Sequence, residues 1–310
     1  MQGIDALIEH EYTRVHMAVS EVSTMVIAAR TALMLLALSG LPAHTDTATA
    51  QEPVRTVTEV FFPFQYVDPS ANQKGYVASI MQEVLAGAGL STDVEYLNWT
   101  KAYKTAERVP NTLIFSMMRT PKRETTFHWI APVAKIPPAA LFSAAERNLP
   151  TYPEIDGYKA HSVCAQEGTP PYNALVESGF EEGVNLFPLI DVAFSSMILD
   201  QSLGPVDHGW YELLLTGRCE YRVTVPVSMW ARTTLSGRPK AAIVQHLDVP
   251  DPGGASPLLY LAANIRTEPE IVNAVSRSYE RLNRSGRLRE ICETELPNYR
   301  EHCEIFAKPE

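Results

Sequence analysis

The sequence predicts an α/β protein with two lobes, each built on a mainly parallel sheet flanked by helices. Short apolar runs of strand length alternate along the chain with segments whose apolar residues recur at helical spacing, and this alternation is typical of parallel sheets. Proline-containing stretches without helical periodicity interrupt the alternation twice, near 136–141 and 243–251. Two extended hinge crossings between two αβ units indicate a cleft, with one lobe inserted into the other.

The first αβ unit follows the order β-α-β-α-β. A strand is predicted over 54–60, and a helix is predicted over 77–88, where apolar residues fall at helical spacing. A second strand over 92–97 precedes a helix that begins at Trp99. The apolar run 112–118 predicts a third strand, so the three strands are expected to lie parallel in one sheet.

The second αβ unit and the C-terminal segments complete the predicted organisation. The strands of the second unit are expected at 162–165, 184–188 and 219–225. Its helices are expected at 172–178, 191–200 and 210–216. A strand at 258–264 and helices at 268–282 and 286–295 are expected to return to the first lobe. Lobe 1 is therefore predicted to comprise residues 51–137 and 249–310, and lobe 2 residues 138–248.

Residues 1–50 have the pattern of a secretory signal peptide. The apolar run Ala32–Leu38 is too short for a permanent membrane span, which needs about 20 residues. Small and polar residues follow it and end in Ala48-Thr49-Ala50, which predicts cleavage after Ala50 and a periplasmic protein. Four acidic residues precede Met25, so the assigned start is expected to lie upstream of the true one, at Met25 or Met17. The alternatives are an uncleaved anchor and a core helix.

Composition and motifs exclude several classes of function. The net charge of −10 at pH 7 argues against nucleic acid as a partner, because a nucleic-acid interface needs a basic surface. The sequence contains no P-loop, dinucleotide glycine fingerprint, HExxH or CxxC motif. Neither a nucleotide cofactor nor a metal is expected.

The four cysteines are expected to lie in an oxidising compartment after export. Three pairings are possible. Cys292 and Cys303 lie close together near the C-terminus, and we expect them to form a disulfide that holds the tail against the last helix. Cys164 and Cys219 lie in β-rich stretches, where they could be neighbours in one sheet or two small buried thiols.

The stretch Phe115–Glu124 carries the strongest sign of a binding site. A buried strand ends there, Pro121 stops it, and three cationic side chains follow within five residues. In an open α/β sheet small ligands bind at the carboxyl ends of strands, and arginine can hold a carboxylate with two parallel hydrogen bonds. The alternative is a solvated basic turn that follows a core strand.

Several short stretches occur along the chain in the order of one known family. They are Phe61–Asp68, Gly75-Tyr76, Trp99–Tyr103, Phe115–Arg123, Gln166–Thr169, Thr216–Glu220, Leu258–Ala262 and Leu282–Gly286. Together they resemble the bacterial periplasmic solute-binding proteins of the polar amino-acid type, the extracytoplasmic receptors of ABC uptake systems. The resemblance covers nearly all of 54–296 and implies the type-two periplasmic-binding-protein fold.

The resemblance implies ligand contacts from the first lobe. Arg123 would bind the α-carboxylate of the ligand, and Ser116 would add backbone and hydroxyl contacts. Phe61 and Trp99 would sandwich the ligand's side chain, although both could equally be core residues. Arg119 adds a cation that most amino-acid binders lack and is included in the predicted ligand site.

The second lobe would complete that site. Gly168 and Thr169 would donate N–H groups to the same carboxylate, and Glu220 would take the α-ammonium. Pro170 follows Thr169 where the family often has a free N–H, so one donor is missing. Glu220 could also be an exposed charge at the end of a strand.

The resemblance implies a monomeric binding protein without catalytic residues. It would capture a small polar solute, an amino acid or a related carboxylate, in the cleft between the lobes and deliver it to an ABC permease in the inner membrane. One alternative is a dehydratase-like enzyme, with Glu220 as a general acid of raised pKa assisted by His208 or Asp207. The other is an exported subunit that senses a ligand.

Overall fold

The computed structural model describes residues 53–68, 72–189, 213–249 and 257–308. Glu52–Glu310 form one compact unit. The predicted signal peptide, the predicted helix at 191–200, and Asp207 with His208 lie outside the described residues. Two five-stranded sheets form the framework of the compact unit, and helices lie against both.

The first sheet has the strand order β4-β1-β5-β12-β6. Its strands are β1 (Arg55–Thr58), β4 (Glu95–Tyr96), β5 (Thr112–Met118), β6 (Phe127–Lys135) and β12 (Leu258–Asn264). β4, β1 and β5 pair in parallel, whereas β12 pairs antiparallel with both of its neighbours. Four of the five strands therefore point the same way. A small separate hairpin joins β2 (Tyr66–Val67) to β3 (Gln73–Lys74).

Helices cover this sheet because its central strands are apolar on both faces. Within the described residues these helices are α1 (Tyr76–Gly87), α2 (Trp99–Arg108), α5 (Pro269–Arg284) and α6 (Arg287–Glu295). Leu113 and Phe115 of β5 pack in the same core cluster as α1, whereas Ile114 packs with Ala102 of α2. The apolar run that predicted β5 thus packs into two hydrophobic clusters, one on each face of the strand.

Ser116 interrupts the alternation of β5. Its φ is +60°, in the left-handed region that non-glycine residues rarely adopt. The pairing of β5 with β12 shifts register at this point. After the interruption Met117 packs on the α2 side with Ile114, although strict alternation would have sent it to the α1 side. The irregularity therefore reverses the face on which the side chain of Met117 packs.

The second sheet has the order β11-β7-β10-β8-β9. Its strands are β7 (Ala140–Ala144), β8 (Val163–Gln166), β9 (Leu186–Leu189), β10 (Tyr221–Thr224) and β11 (Ile243–Asp248). β9, β8 and β10 pair in parallel, and β7 pairs antiparallel with β10 and β11. The helices α3 (Pro170–Glu177) and α4 (Pro226–Leu235) follow β8 and β10. The predicted α/β architecture with two mostly parallel sheets is confirmed.

Two segments link the sheets, and the described ends of the second are hydrogen-bonded to the first. Residues 136–139 connect β6 to β7, and residues 249–257 connect β11 to β12. The backbone N–H of Ile136 donates to the carbonyl of Pro257 at 2.9 Å, and that of Val249 donates to the carbonyl of Ala139 at 2.7 Å. The sequence placed the start of the second crossing at 243, but 243–248 is the edge strand β11. The strand was missed because it carries exposed and polar residues between apolar ones. The lobe boundaries stay a prediction.

Both cysteine pairs are disulfide-bonded. Cys164 and Cys219 join β8 to the residues before β10, with a Cα–Cα distance of 5.5 Å. Cys292 and Cys303 join α6 to the tail at 5.7 Å, which confirms the predicted pair. His302 in the tail also contacts the carbonyl of Lys135 at 2.7 Å, so the tail is fastened where β6 ends.

Candidate functional site

A cavity of about 80 Å³ lies between the two sheets. Its first-sheet side comes from residues at or just beyond the ends of β1 and β5 and from the start of α2. Its second-sheet side comes from the ends of β8 and β10. Because these four strands run parallel within their own sheets, their carboxyl ends meet at one place, which is where open α/β sheets bind ligands.

Arg123 is the buried cation of this cavity. Its backbone closes the single turn Pro121–Arg123 after β5, and only 7 % of the residue is exposed. Nη1 donates to the carbonyl of Met118 at 3.0 Å, and Nη2 donates to the carbonyl of Gly168 at 3.2 Å. The guanidinium also lies over the rings of Trp99 and Tyr103, 5.2 and 4.9 Å from their centroids. Burial lowers the pKa of Arg123. A guanidinium has five N–H donors, so the two carbonyls leave donors for a ligand oxygen.

Trp99 links the two sheets at the same point. Asn98 caps the helix α2 by accepting a hydrogen bond from the backbone N–H of Lys101 at 2.8 Å, and Trp99 is the first residue of that helix. Its Nε1 donates to the carbonyl of Gly168 at 3.0 Å, and its ring lines the cavity. The carbonyl of Gly168 therefore accepts hydrogen bonds from both Trp99 and Arg123.

Of the two residues expected to donate N–H groups from the second-sheet turn, Thr169 lines the cavity and Gly168 does not, and their contact with a ligand stays a prediction. Gly168, with φ +74°, contributes its carbonyl to the contacts described above and does not line the cavity. Thr169 lines the cavity, but its hydroxyl donates to the carbonyl of Gln166 at 2.7 Å and its N–H donates to that carbonyl at 3.4 Å. Pro170 and Pro171 open α3 and have no N–H. This wall of the cavity is therefore poor in donors.

Ser116 and Phe61 also line the cavity. The hydroxyl of Ser116 donates to Oε1 of Gln65 at 2.8 Å, and Gln65 is fully buried. This hydrogen bond helps to fix the end of β5, and the ligand contacts expected of Ser116 stay a prediction. The ring of Phe61 is half-buried and lies 4.8 Å from that of Phe64, so it belongs to both the core and the cavity wall.

Glu59 is the residue that the sequence analysis missed. It follows β1 directly, is 6 % exposed and lines the cavity. Its carboxylate accepts a hydrogen bond from Nε2 of Gln166 across the cleft. The available signal was an acidic residue at the end of an apolar strand, but the predicted strand 54–60 included it as an ordinary strand position.

Arg119 does not line the cavity. It forms an ion pair with Glu124 and lies over the rings of Trp129 and Tyr260, 5.4 and 5.7 Å from their centroids. The structure therefore does not bring Arg119 to this cavity, and contact of Arg119 with a ligand stays a prediction. The reason is the direction of the chain after β5, because Met118 and Arg123 line the cavity whereas Arg119 lies over aromatic rings of β6 and β12.

Glu220 is also remote from the cavity, because it precedes β10 whereas the cavity lies at the strand's other end. Its carboxylate accepts from the backbone N–H of Ser162 at 2.9 Å and contacts Nδ1 of His161 at 3.2 Å. The residues of β10's carboxyl end that line the cavity are Val223, Thr224 and Val225. An ammonium at this wall would meet no carboxylate from β10.

Two further properties concern the described ranges only. None of the helices within them combines the length and apolar composition that a membrane crossing requires. No three His, Cys, Asp or Glu side chains within them are grouped so that they could hold a metal ion.

Known structures share this fold at low sequence identity. The arginine-, lysine-, histidine-binding protein ArtJ from the thermophilic bacterium Geobacillus stearothermophilus is 16 % identical with a TM-score of 0.58, covering 79 % of this chain and 96 % of its own. A histidine kinase sensor domain with similarity to periplasmic binding proteins is 17 % identical with a TM-score of 0.59, covering 79 % and 96 %. An ancestral amino acid-binding protein, a precursor of cyclohexadienyl dehydratase, is 15 % identical with a TM-score of 0.59, covering 78 % and 95 %.

The family itself is identified by sequence. No curated protein is similar enough in sequence to be matched with this chain. Residues 54–296 match the family model of bacterial extracellular solute-binding proteins, family 3, and this range contains all the strands and helices that build the cavity. The chain therefore belongs to family 3 of the bacterial extracellular solute-binding proteins.

Proposed function

We propose that the protein captures an amino acid or a related small carboxylate in the cavity between its sheets and delivers it to an ABC permease in the inner membrane. In this proposal the chain is exported to the periplasm, loses residues 1–50 by cleavage after Ala50, and acts as a monomer. Family membership supports solute binding as such.

The burial of Arg123 is the observation that supports a ligand with a carboxylate. A charge taken out of water costs several kcal/mol unless a partner compensates it. The guanidinium of Arg123 is 7 % exposed, its two backbone partners are uncharged carbonyls, and the nearby charge of Glu59 also acts on it. A ligand carboxylate would supply a charged partner with matching fork geometry, at the carboxyl end of β5.

Contacts across the cleft support capture by closure. Arg123 and Trp99 from the first-sheet side both reach the carbonyl of Gly168, and Gln166 reaches Glu59. A ligand that touches both sides binds the closed arrangement better than an open one, and only that difference in affinity shifts the equilibrium toward closure. The two crossings between the sheets would restrict this motion to bending about one axis.

The enzymatic alternative loses its proposed acid, because Glu220 is held by Ser162 and His161 away from the cavity. The sensing alternative uses the same cavity and differs in the protein that receives the signal. One similar solved structure is a sensor domain, but at 17 % identity the likeness extends to the fold alone.

Thermal-shift screening of the chain from residue 51 onward tests the proposal. A ligand present at one hundred times its dissociation constant adds about 2.7 kcal/mol to the free energy of unfolding, which gives a clear shift. We expect at least one amino acid or small carboxylate to raise the melting temperature and to be recovered chemically unchanged after incubation. Recovery of a converted product would favour the enzyme, and the absence of any shift across the panel would contradict the proposal.

A further inference from the structure

Two larger cavities adjoin the inner cavity described above. One has a volume of about 540 Å³ and shares Trp99 and Gln166 with the inner cavity, and we call it the Trp99 cavity. The other has a volume of about 430 Å³ and shares Arg123 and Pro170 with the inner cavity, and we call it the Pro170 cavity. A ligand whose carboxylate reaches Arg123 can therefore extend outward past Trp99 or past Pro170.

The charges of the inner cavity already balance each other. Among the described residues that line it, Arg123 is positive and Glu59 is negative. The carboxylate of Glu59 accepts a hydrogen bond from Gln166, and its charge also acts on Arg123. A ligand carboxylate at Arg123 therefore adds one negative charge to a neutral site. A further cation nearby would stabilise this added charge.

The Pro170 cavity does not supply such a cation. Besides Arg123, the charged residues among its described lining are Lys122 and Glu177. Nζ of Lys122 donates to Oε1 of Glu177 at 2.9 Å, so the two charges compensate each other across the cleft. This side of the cleft is electrically balanced as well.

The Trp99 cavity, by contrast, is lined by an excess of positive charge. Lys101, Lys104 and Arg108 line it, and Glu167 is the one acidic residue among the described residues that do so. The three cations belong to α2, and their spacing of three and four residues places them on one face of the helix. The positive end of the helix dipole adds to their field, because the first residues of α2 also line this cavity.

The described part of the chain leaves this excess largely uncompensated. Neither Lys101 nor Lys104 forms an ion pair there, although Lys101 helps to lower the pKa of Glu95 at longer range. Arg108 lies 3.9 Å from the carboxylate of Glu107, in an exposed pair that solvent screens. The excess contrasts with the net charge of −10 of the whole chain. An anion would therefore be attracted to this face of α2.

We infer that the ligand is acidic at both ends, with a carboxylate bound to Arg123 and a second anionic group in the Trp99 cavity beside Lys101 and Lys104. This inference rests on the proposed function and narrows its class of ligand. Acidic amino acids and linear dicarboxylates both have this chemistry. A ligand with a basic far end would meet like charges on α2, and one with an uncharged far end would gain nothing from them.

Calorimetry with matched ligands tests the inference. L-glutamate is compared with L-glutamine, which has nearly the same shape, and glutarate is compared with pentanoate, which has the same number of carbon atoms. L-lysine provides a basic far end. We expect the acid of at least one pair to bind about tenfold or more tightly than its uncharged match, a difference of about 1.4 kcal/mol or more, and L-lysine to bind more weakly than that acid.

The other outcomes separate the inference from the proposed function. Equal or tighter binding of L-lysine, or of the uncharged match in both pairs, overturns the inference and leaves the proposed function standing. If only another solute of the thermal screen binds, an uncharged or basic far end in that solute has the same effect. If no solute of either panel binds, both fail.

Variants of α2 test the location of the second anionic group. The double variant Lys101→Gln with Lys104→Gln should bind the preferred acid about tenfold more weakly and leave its uncharged match within about twofold. Lys135→Gln with Lys308→Gln is the control, because both lysines are exposed, line none of the three cavities and remove the same charge. Equal effects of the two double variants would overturn the inference.

Reversal of the charge gives a test that does not depend on the stability of the variant. In Lys101→Glu with Lys104→Glu, we expect the affinity for L-lysine relative to L-glutamate to rise by about tenfold or more. A loss of folded protein would weaken both ligands and could not change their ratio. An unchanged ratio would overturn the placement of the ligand's far end beside α2.

Discussion

Glu59 and Gln166 stand at the carboxyl ends of strands in different sheets, and the amide of Gln166 donates a hydrogen bond to the carboxylate of Glu59 across the cleft. An ion pair between Lys122 and Glu177 at 2.9 Å spans the same cleft nearer the surface. The exposed pair contributes little because water and salt screen it. The buried contact between Glu59 and Gln166 is therefore the better candidate for an interaction that controls closure of the cleft.

Replacing Gln166 by alanine should weaken closure. The variant loses the hydrogen bond to Glu59 while β8 keeps its backbone pairing, so more ligand should be needed to reach the compact state. The measurement is the radius of gyration by solution scattering, titrated with a solute that the thermal screen identifies. Gln245→Ala is the control, since Gln245 is exposed on the edge strand β11. Identical titrations of the two variants would argue against a role of Gln166 in closure.

Arg123 and Arg119 lie four residues apart and offer a matched comparison. Arg123→Ala should weaken carboxylate binding by about a hundredfold or more, because removing one partner of a buried pair typically costs 3–5 kcal/mol. Arg119→Ala removes an exposed ion pair with Glu124 and should change affinity by less than about twofold. Calorimetry measures both, and circular dichroism checks that each variant is folded. Equal losses in the two variants would remove Arg123 as the anion anchor.

Glu220 should influence stability rather than binding. Burial raises the pKa of this carboxyl, but hydrogen bonds from Ser162 and His161, together with the attraction of His161, outweigh burial and hold the pKa below its usual range. The stability that Glu220 provides is therefore complete above the pKa of the unfolded chain, about 4.3, and is lost as the pH falls through the lower pKa of the folded state.

Urea denaturation at pH 7 and pH 3 tests this assignment with Glu220→Gln. The variant should be less stable than the parent at pH 7, and the difference should shrink at pH 3. Affinity for the ligand at pH 7 should stay within about twofold, since Glu220 lies at the far end of β10 from the cavity. Glu154→Gln serves as a control because Glu154 is exposed. A large loss of affinity in Glu220→Gln would restore it as a ligand residue.

The two disulfides should differ in their contributions. Cys164 and Cys219 are 55 residues apart in sequence, whereas Cys292 and Cys303 are 11 apart. In the chain-entropy model the longer loop contributes about 1.4 kcal/mol more. Removing each pair by double substitution with serine, followed by urea denaturation, measures the difference. An equal or reversed order would show that loop length does not govern their effect, and free thiols in peptide mapping would contradict the pairing.

The sequence predicted most accurately the strands whose side chains are apolar because both faces of the strand are buried. The strands Thr112–Met118 and Leu258–Asn264 agree residue for residue, because each is a continuous apolar run with core on both faces. Arg123 lies beside the cavity because it follows its strand by five residues and the turn between them is short, and its role as the anion anchor stays a prediction.

Glu59 and Glu220 show where the resemblance and the strand pattern pointed in different directions. Both are acidic residues beside a strand, and the difference between them is which end of the strand they occupy. Glu59 follows β1 and reaches the cavity, whereas Glu220 precedes β10 and lies at its other end. The predicted strand 219–225 already placed Glu220 near its beginning, and the role of Glu220 in the site came from the resemblance alone. Arg119 follows the irregular backbone at Ser116, which the sequence did not reveal, and it lies over Trp129 and Tyr260.

The position of β12 has a consequence for the order in which the chain folds. β6 lies at the edge of the first sheet and pairs with β12, which separates it from β5. The last strand of the second sheet ends at Asp248, before β12 begins at Leu258. During synthesis from the N-terminus, all strands of the second sheet are therefore made before β12. The second sheet can form while no strand yet lies between β5 and β6. Pairing across so many intervening residues is slow, so entry of β12 is expected to be the late step that sets the folding rate.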